Sequence, residues 1–388
     1  MPNPFEGIPF LGDLAKMLQG GAGGAGRWDA ARQFAAQVAT GGTPESNPDP
    51  LERIKLEELS RVAELRVGDV TGLDVSTTGR PVTIVPVTRS EWSRRTLDAW
   101  RPLLERLSTS LTAGPASLEG VADDDPLVSL LQGFSNAFGP VLFGMQAGAM
   151  VGHLATRALG QYDLPVPRPP SDELVVVADN VAAFGREWSL ADDDLRLWIC
   201  VSELATHAVL GVGHVRTRLD ALLLEYAGAF RVDPGALEGR LADVDPTDPA
   251  ALQDALGDPA ALLGAISSPE QAALRPQLEA LVAAVVGYVD WVVDRVGESL
   301  IPSYGMLTEA LRRRRVEAGE GDRFVEHLLG LELGQAQYDR GAAFVDGIFE
   351  RAGAEGVARL WSDERHLPTP AEVDAPGLWL ARIDLPTD

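Results

Sequence analysis

The chain has 388 residues, 45% of them hydrophobic and 23% charged, which excludes extensive disorder and gives enough apolar material for one large core or two modest ones. A formal net charge of −24 would repel nucleic-acid phosphates and anionic membrane surfaces alike, so neither is an expected partner. A single cysteine, Cys200, excludes an internal disulfide framework and reads as a small buried hydrophobe.

The opening residues, MPNPFEGIPFLGDLAKM, have neither a basic n-region nor a long apolar core, so a cytoplasmic location is expected. Phe10 to Leu18 is a short helix candidate. The glycine run GGAGGAG at 20–26 follows no strand and carries no Lys-Ser/Thr, so it reads as a flexible linker and not a phosphate loop. Helices are expected from Trp28 to Val38 and, after the Gly/Pro-rich break at 41–50, from about Leu51 to Leu65. Val82 to Val87 is β-rich but contains Pro86, which suits an edge strand, and a further helix runs from about Ser90 to Ser108. Residues 1–120 thus read as an N-terminal helical cap with one short strand, and 121–388 as a second, helical domain.

Pro126 to Thr156 contains no charged residue other than neutral His153, so its composition suits either a membrane span or a buried helix. Its Gly, Ser, Asn and Gln content and the breaks at Gly133 and Gly139-Pro140 favour the buried helix. Gly144, Gly148 and Gly152 recur every four residues, so one face can admit the backbone of a neighbouring helix. A proline-rich connector, LGQYDLPVPRPP, precedes the strand Glu173 to Val177 and a helix from Ala178. Ser189 and Asp192 form an S-x-x-D pair that predicts the N-cap of the next helix, which Gly211 ends. Beyond Val215 the pattern is helical with acidic, Pro-punctuated loops. Ser268-Pro269 opens a long helix that is almost wholly apolar from Leu281 to Val293. The basic run Arg312 to Arg315 reads as a solvated helix face, residues 322–365 as two or three amphipathic helices, and the tail after Pro368 as extended. The fold class is mainly α with a small β component.

The chemistry concentrates in Trp198 to Gly211, WICVSELATHAVLG, an apolar helix carrying Ser202, Glu203, Thr206 and His207 within about one quadrant. The frame is that of H-E-x-x-H, in which two imidazoles hold Zn²⁺ and the Glu is general base toward the metal-bound water, but only the Glu is present. Glu203 and His207, four residues apart, are expected to satisfy each other by a charge-assisted hydrogen bond. His214 and Asp290 are further candidates for a metal site. No G-x-S-x-G elbow, C-x-x-C pair or P-loop offers another chemistry.

NPFEGIPFLGDLAKML, LGQYDLPVP, VADNVAAF, the Glu203 segment, VVGYVDWVVD, LLGLELGQAQYDRGAAF and LWSDERHLPTPAEVD together resemble a bacterial zincin-like hydrolase family. Its members are zinc-dependent metalloproteases, relatives of proteins associated with deazaflavin-cofactor biosynthesis. The resemblance spans most of the chain and implies a zincin-like metallopeptidase scaffold. Typical members read L-H-E-x-x-H-H-A-V in this helix and E-G-x-x-D in the later one. Carried over, the zinc ligands fall on Ser202, Thr206 and Val286, the general base on Glu203, a second His on His207 and the later Asp on Asp290. All three ligand positions have changed: hydroxyls remain protonated and bind zinc poorly near neutral pH, and valine has no donor atom.

The resemblance therefore implies a non-catalytic protein that binds a peptide or protein partner, with Glu203 a vestigial general base and no cofactor expected. The alternative is an active metal-dependent hydrolase whose site is rebuilt around Glu203 and His207, with His214 or Asp290 completing a zinc shell.

Overall fold

The computed structural model describes residues 24–112, 143–231 and 268–385. The Phe10–Leu18 helix and the boundary at residue 120 lie outside these, as do residues 126–142 of the uncharged segment. Fifteen elements are labelled in chain order: α1 (Gly24–Thr40), α2 (Pro50–Thr71), β1 (Thr83–Val87), α3 (Arg89–Thr112), α4 (143–155), β2 (Glu173–Val177), α5 (Ala178–Glu187), α6 (Asp192–Gly211), α7 (Gly213–Gly228), α8 (Pro269–Leu300), α9 (Tyr304–Val316), α10 (Glu320–Leu328), α11 (Gln335–Ala358), α12 (Pro370–Val373) and α13 (Pro376–Ile383). Two single-turn 3₁₀ segments, Arg359–Trp361 and Glu364–His366, join α11 to α12. The structure is mainly helical, as the sequence predicts.

β1 and β2 form a two-stranded parallel sheet with Ile84 opposite Leu174 and Pro86 opposite Val176. Each strand runs almost directly into a helix, α3 or α5, so the sheet fixes where those helices begin. Behind it α6 lies between α2 and α8, and α8 crosses α11. That crossing is backbone on backbone. A Cβ added at Gly287 would overlap the Gly341 carbonyl and stand 2.6 Å from Gly341 Cα, so only glycine permits it. Ser268 opens α8 with a reciprocal capping box to Gln271, and Pro269 fills the first turn, where a missing N–H costs nothing.

The glycine stripe of α4 packs as its spacing predicts. A Cβ at Gly148 would overlap the Ala31 carbonyl oxygen, and one at Gly152 would lie 2.6 Å from that of Ala35, so α4 rides on the α1 backbone. Among the described residues no single helix is long and apolar enough to cross a membrane; α6 and α7 meet that test only as a pair bent by 88°.

Three local expectations are corrected. Residues 24–26 of the glycine run are the first turn of α1, because Trp28, Ala31 and Ala35 bury and extend the helix backward. Ser189 does not cap α6. It terminates α5 instead, in the left-handed region at φ 52°, with its own N–H donating to Arg186 O and that of Leu190 to Gly185 O, a Schellman end. The tail after Pro368 is not extended: Pro370 and Pro376 occupy the first turns of α12 and α13, and Trp379 is buried against Phe344.

Candidate functional site

Glu203 is buried on α6 and faces a tight turn at 159–163. The turn is closed by Asp163, whose Oδ1 accepts the N–H groups of Leu159 (2.8 Å) and Gly160 (3.3 Å) while its Oδ2 takes Arg314 at 2.7 Å. Its carbonyls are tied outward: Leu159 O accepts Val177 N–H of β2, Gly160 O accepts Trp92 Nε1–H at 2.8 Å, and Gln161 O accepts Arg168 Nη2–H at 3.0 Å. The next two amides point at the carboxyl group of Glu203. Gln161 N–H donates to Glu203 Oε2 at 2.9 Å, and Tyr162 N–H reaches both carboxyl oxygens at 3.1 Å. A Cβ on Gly160 would overlap Oε1 and sit 2.5 Å from Cδ, so the carboxyl group is pressed against the turn.

Burial raises the Glu203 carboxyl to about 8, and the nearby Asp163 charge adds to this, against the two amides and Arg168. The acid is therefore largely protonated at neutral pH. Arg168 is itself buried, held by Thr96 and stacked near the Trp92 and Trp100 rings, and desolvation draws its guanidinium down to about 10. A cavity of about 90 Å³ lies beside Glu203, with Ser202, Trp198, Tyr162, Arg315 and Tyr338 in its wall.

The expected Glu203–His207 bond is not made. His207 Nδ1 pairs instead with Tyr162 Oη at 3.0 Å, and its Nε2 has no protein partner among the described residues. The amides at 161 and 162 hold the carboxyl group, and the Tyr162 hydroxyl meets the imidazole. Burial lowers His207 to about 4, so it is neutral, and raises Tyr162 to about 12. Of the other candidates, Ser202 stands in the wall of the cavity beside Glu203. Thr206 Oγ1 donates to Ser202 O one turn back, at 2.8 Å. Val286 is buried in α8. Asp290 accepts both terminal nitrogens of Arg315 at 2.8 Å. His214 lies beyond the 88° bend, at the start of α7. Cys200 is fully buried, its thiol pushed well above the ordinary range by desolvation. The basic run divides: Arg312 and Arg313 are exposed and pair with Glu309, whereas Arg314 and Arg315 turn inward to Asp163 and Asp290.

A family model described as zincin-like metallopeptidase matches residues 27–380. The chain belongs to that family. Glu203 lies within the matched residues, and the 159–163 turn packs over it. The chain is also similar to a solved structure, "a putative hydrolase with a novel fold" from Chloroflexus aurantiacus, at 25% identity and a TM-score of 0.62, covering 93% of this chain and 99% of that one. No curated protein matches.

Zinc is the metal that zincin-like membership implies, and the residues at this site do not fit it. The Thr206 hydroxyl is engaged within its own helix, Val286 offers no donor, and both Glu203 oxygens accept backbone N–H groups. Among the described residues no three His, Cys, Asp or Glu side chains are grouped to hold a metal. Sequence reasoning singled out Glu203 but missed the roles of Gly160, Tyr162, Asp163 and Arg168. The usable signal was the G-x-x-D turn spacing within LGQYD, four residues after the uncharged helix ends.

Proposed function

We propose that this zincin-family protein does not catalyse hydrolysis and acts by binding a peptide or protein partner. The observation that carries this reading is the double backbone hydrogen bond to Glu203. A general base must present a deprotonated oxygen to water, whereas burial keeps this carboxyl group largely protonated at neutral pH, and it is pressed on Gly160 and held by the amides of Gln161 and Tyr162. The chemistry at Ser202, Thr206 and Val286 supports it independently, since no Lewis acid can be held there to lower the pKa of a water.

The test is to purify the full chain without chelators, measure its zinc content by elemental analysis and incubate it with a mixed peptide pool. Sub-stoichiometric zinc and an uncleaved pool are expected. Stoichiometric zinc together with hydrolysis that Glu203→Gln abolishes would overturn the reading.

A further inference from the structure

A second cleft, of about 270 Å³, lies on the other side of Leu159 and Arg314 from Glu203. Arg89, Asn180, Phe184, Glu187, Trp188 and Glu317 line it. Asn180 is buried and its orientation is decided: Nδ2 donates to the carbonyls of Ala155 (2.9 Å) and Ala158 (2.8 Å), so Oδ1 is left to accept Arg89 Nε–H at 2.6 Å. The guanidinium of half-buried Arg89 is thereby oriented through Nε, and its two terminal nitrogens have no carboxylate partner among the described residues. The other two arginines at this cleft are already neutralised, Arg157 by Asp322 and Arg314 by Asp163. Glu187 and Glu317 are exposed and likewise have no cation partner among the described residues. Phe184 and Trp188 form an aromatic wall with ring centroids 6.4 Å apart.

We propose that this cleft binds a small dipolar ligand with a carboxylate at one end and a cationic group at the other, the chemistry of a free amino acid or a short peptide. The carboxylate takes the two free nitrogens of Arg89 as a fork, the cation is drawn to Glu187 and Glu317, and the apolar part lies on Phe184 and Trp188. Size and charge select this class. Ligand pockets generally run from roughly 300 to 1,000 Å³, so this one suits a molecule at the small end of that range. A simple anion such as phosphate would satisfy Arg89 but meet two carboxylates, in a chain whose net charge of −24 already repels it. The proposal stands on this cleft alone and does not depend on what Glu203 does.

The experiment is calorimetric titration of the full chain with L-arginine, L-argininamide and inorganic phosphate at low ionic strength. L-Arginine is expected to bind, with the amide weaker by about tenfold or more because it lacks the carboxylate. Arg89→Ala should weaken L-arginine by a similar factor with the melting temperature as a check on folding. The exposed pair Glu187→Gln with Glu317→Gln, which leaves the core untouched, should weaken L-arginine and strengthen phosphate. Equal binding of L-arginine and its amide, phosphate binding as tightly as L-arginine, or no heat from L-arginine with the wild-type chain would each overturn the proposal.

Discussion

Replacing Gly160 with alanine places a methyl group where the Glu203 carboxyl group lies, 2.5 Å from Cδ and 3.0 Å from Cγ. Ordinary contact needs about 3.4 Å or more and Oε1 is overlapped more deeply still, so either the side chain retreats by more than an ångström or the turn moves. Retreat lengthens the bonds to Gln161 and Tyr162, and movement of the turn disturbs the Trp92 bond to Gly160 O. Overpacking costs about 1–3 kcal/mol and each weakened hydrogen bond about 1 kcal/mol, which together give a loss of roughly 2–4 kcal/mol. In a Glu203→Ala background the obstacle is gone, and the same substitution should cost under about 1 kcal/mol. Urea unfolding of the four proteins in this cycle measures the coupling. If the cost of Gly160→Ala agrees in the two backgrounds to within about 0.5 kcal/mol, the carboxyl group does not rest on the turn. Water could then reach it.

Four other outcomes are expected. Because burial lifts Glu203 from 4.5 to about 8, the folded state holds a proton that the unfolded chain has released between those values, so this group's contribution to stability falls as pH rises from about 4.5 to about 8. Unfolding curves should show Glu203→Gln gaining on wild type across that window, by at most roughly 4–5 kcal/mol. The lowered His207 acts oppositely: it remains neutral when folded, so stability is lost as pH falls from 6.5 towards 4, and His207→Gln should flatten that limb. Ser189→Gly should raise stability by about 0.5–1 kcal/mol in thermal unfolding, because glycine adopts a φ of 52° without strain. Asp290→Ala should cost about 2 kcal/mol in urea unfolding by leaving half-buried Arg315 unpaired, and should leave zinc content unchanged; a fall in bound zinc would identify Asp290 as a ligand.

Much of the scaffold was legible because it is written in local pattern. ELVVV, framed by a connector and a helix start, is β2 to the residue, and Gly211 ends α6 as its position suggests. The four-residue recurrence of Gly144, Gly148 and Gly152 correctly called for a close helix, although nothing local could say that the partner was α1. Where the reading failed, one residue type had two physical uses. Serine before an acidic turn can cap the following helix or end the preceding one, and the short α5–α6 connection at 188–191 decided for the second at Ser189. The tail after Pro368 reads as extended, but proline is equally a first-turn residue, and at 370 and 376 it opens helices. The candidate site was half legible. Spacing put Glu203 and His207 on one face, but the partners that settle their states, amides and a hydroxyl some forty residues away, leave no periodic mark.

The bond from Thr206 to the Ser202 carbonyl bears on what single substitutions in this helix can do. The Thr206 side chain is spent within a finished local structure: it is buried, and its hydroxyl donates to the carbonyl of half-buried Ser202. Histidine at 206 would remove that bond and enlarge a buried side chain while supplying at most one metal ligand, so alone it would lose stability and gain no metal. A metal shell assembled here one residue at a time would pass only through less stable proteins.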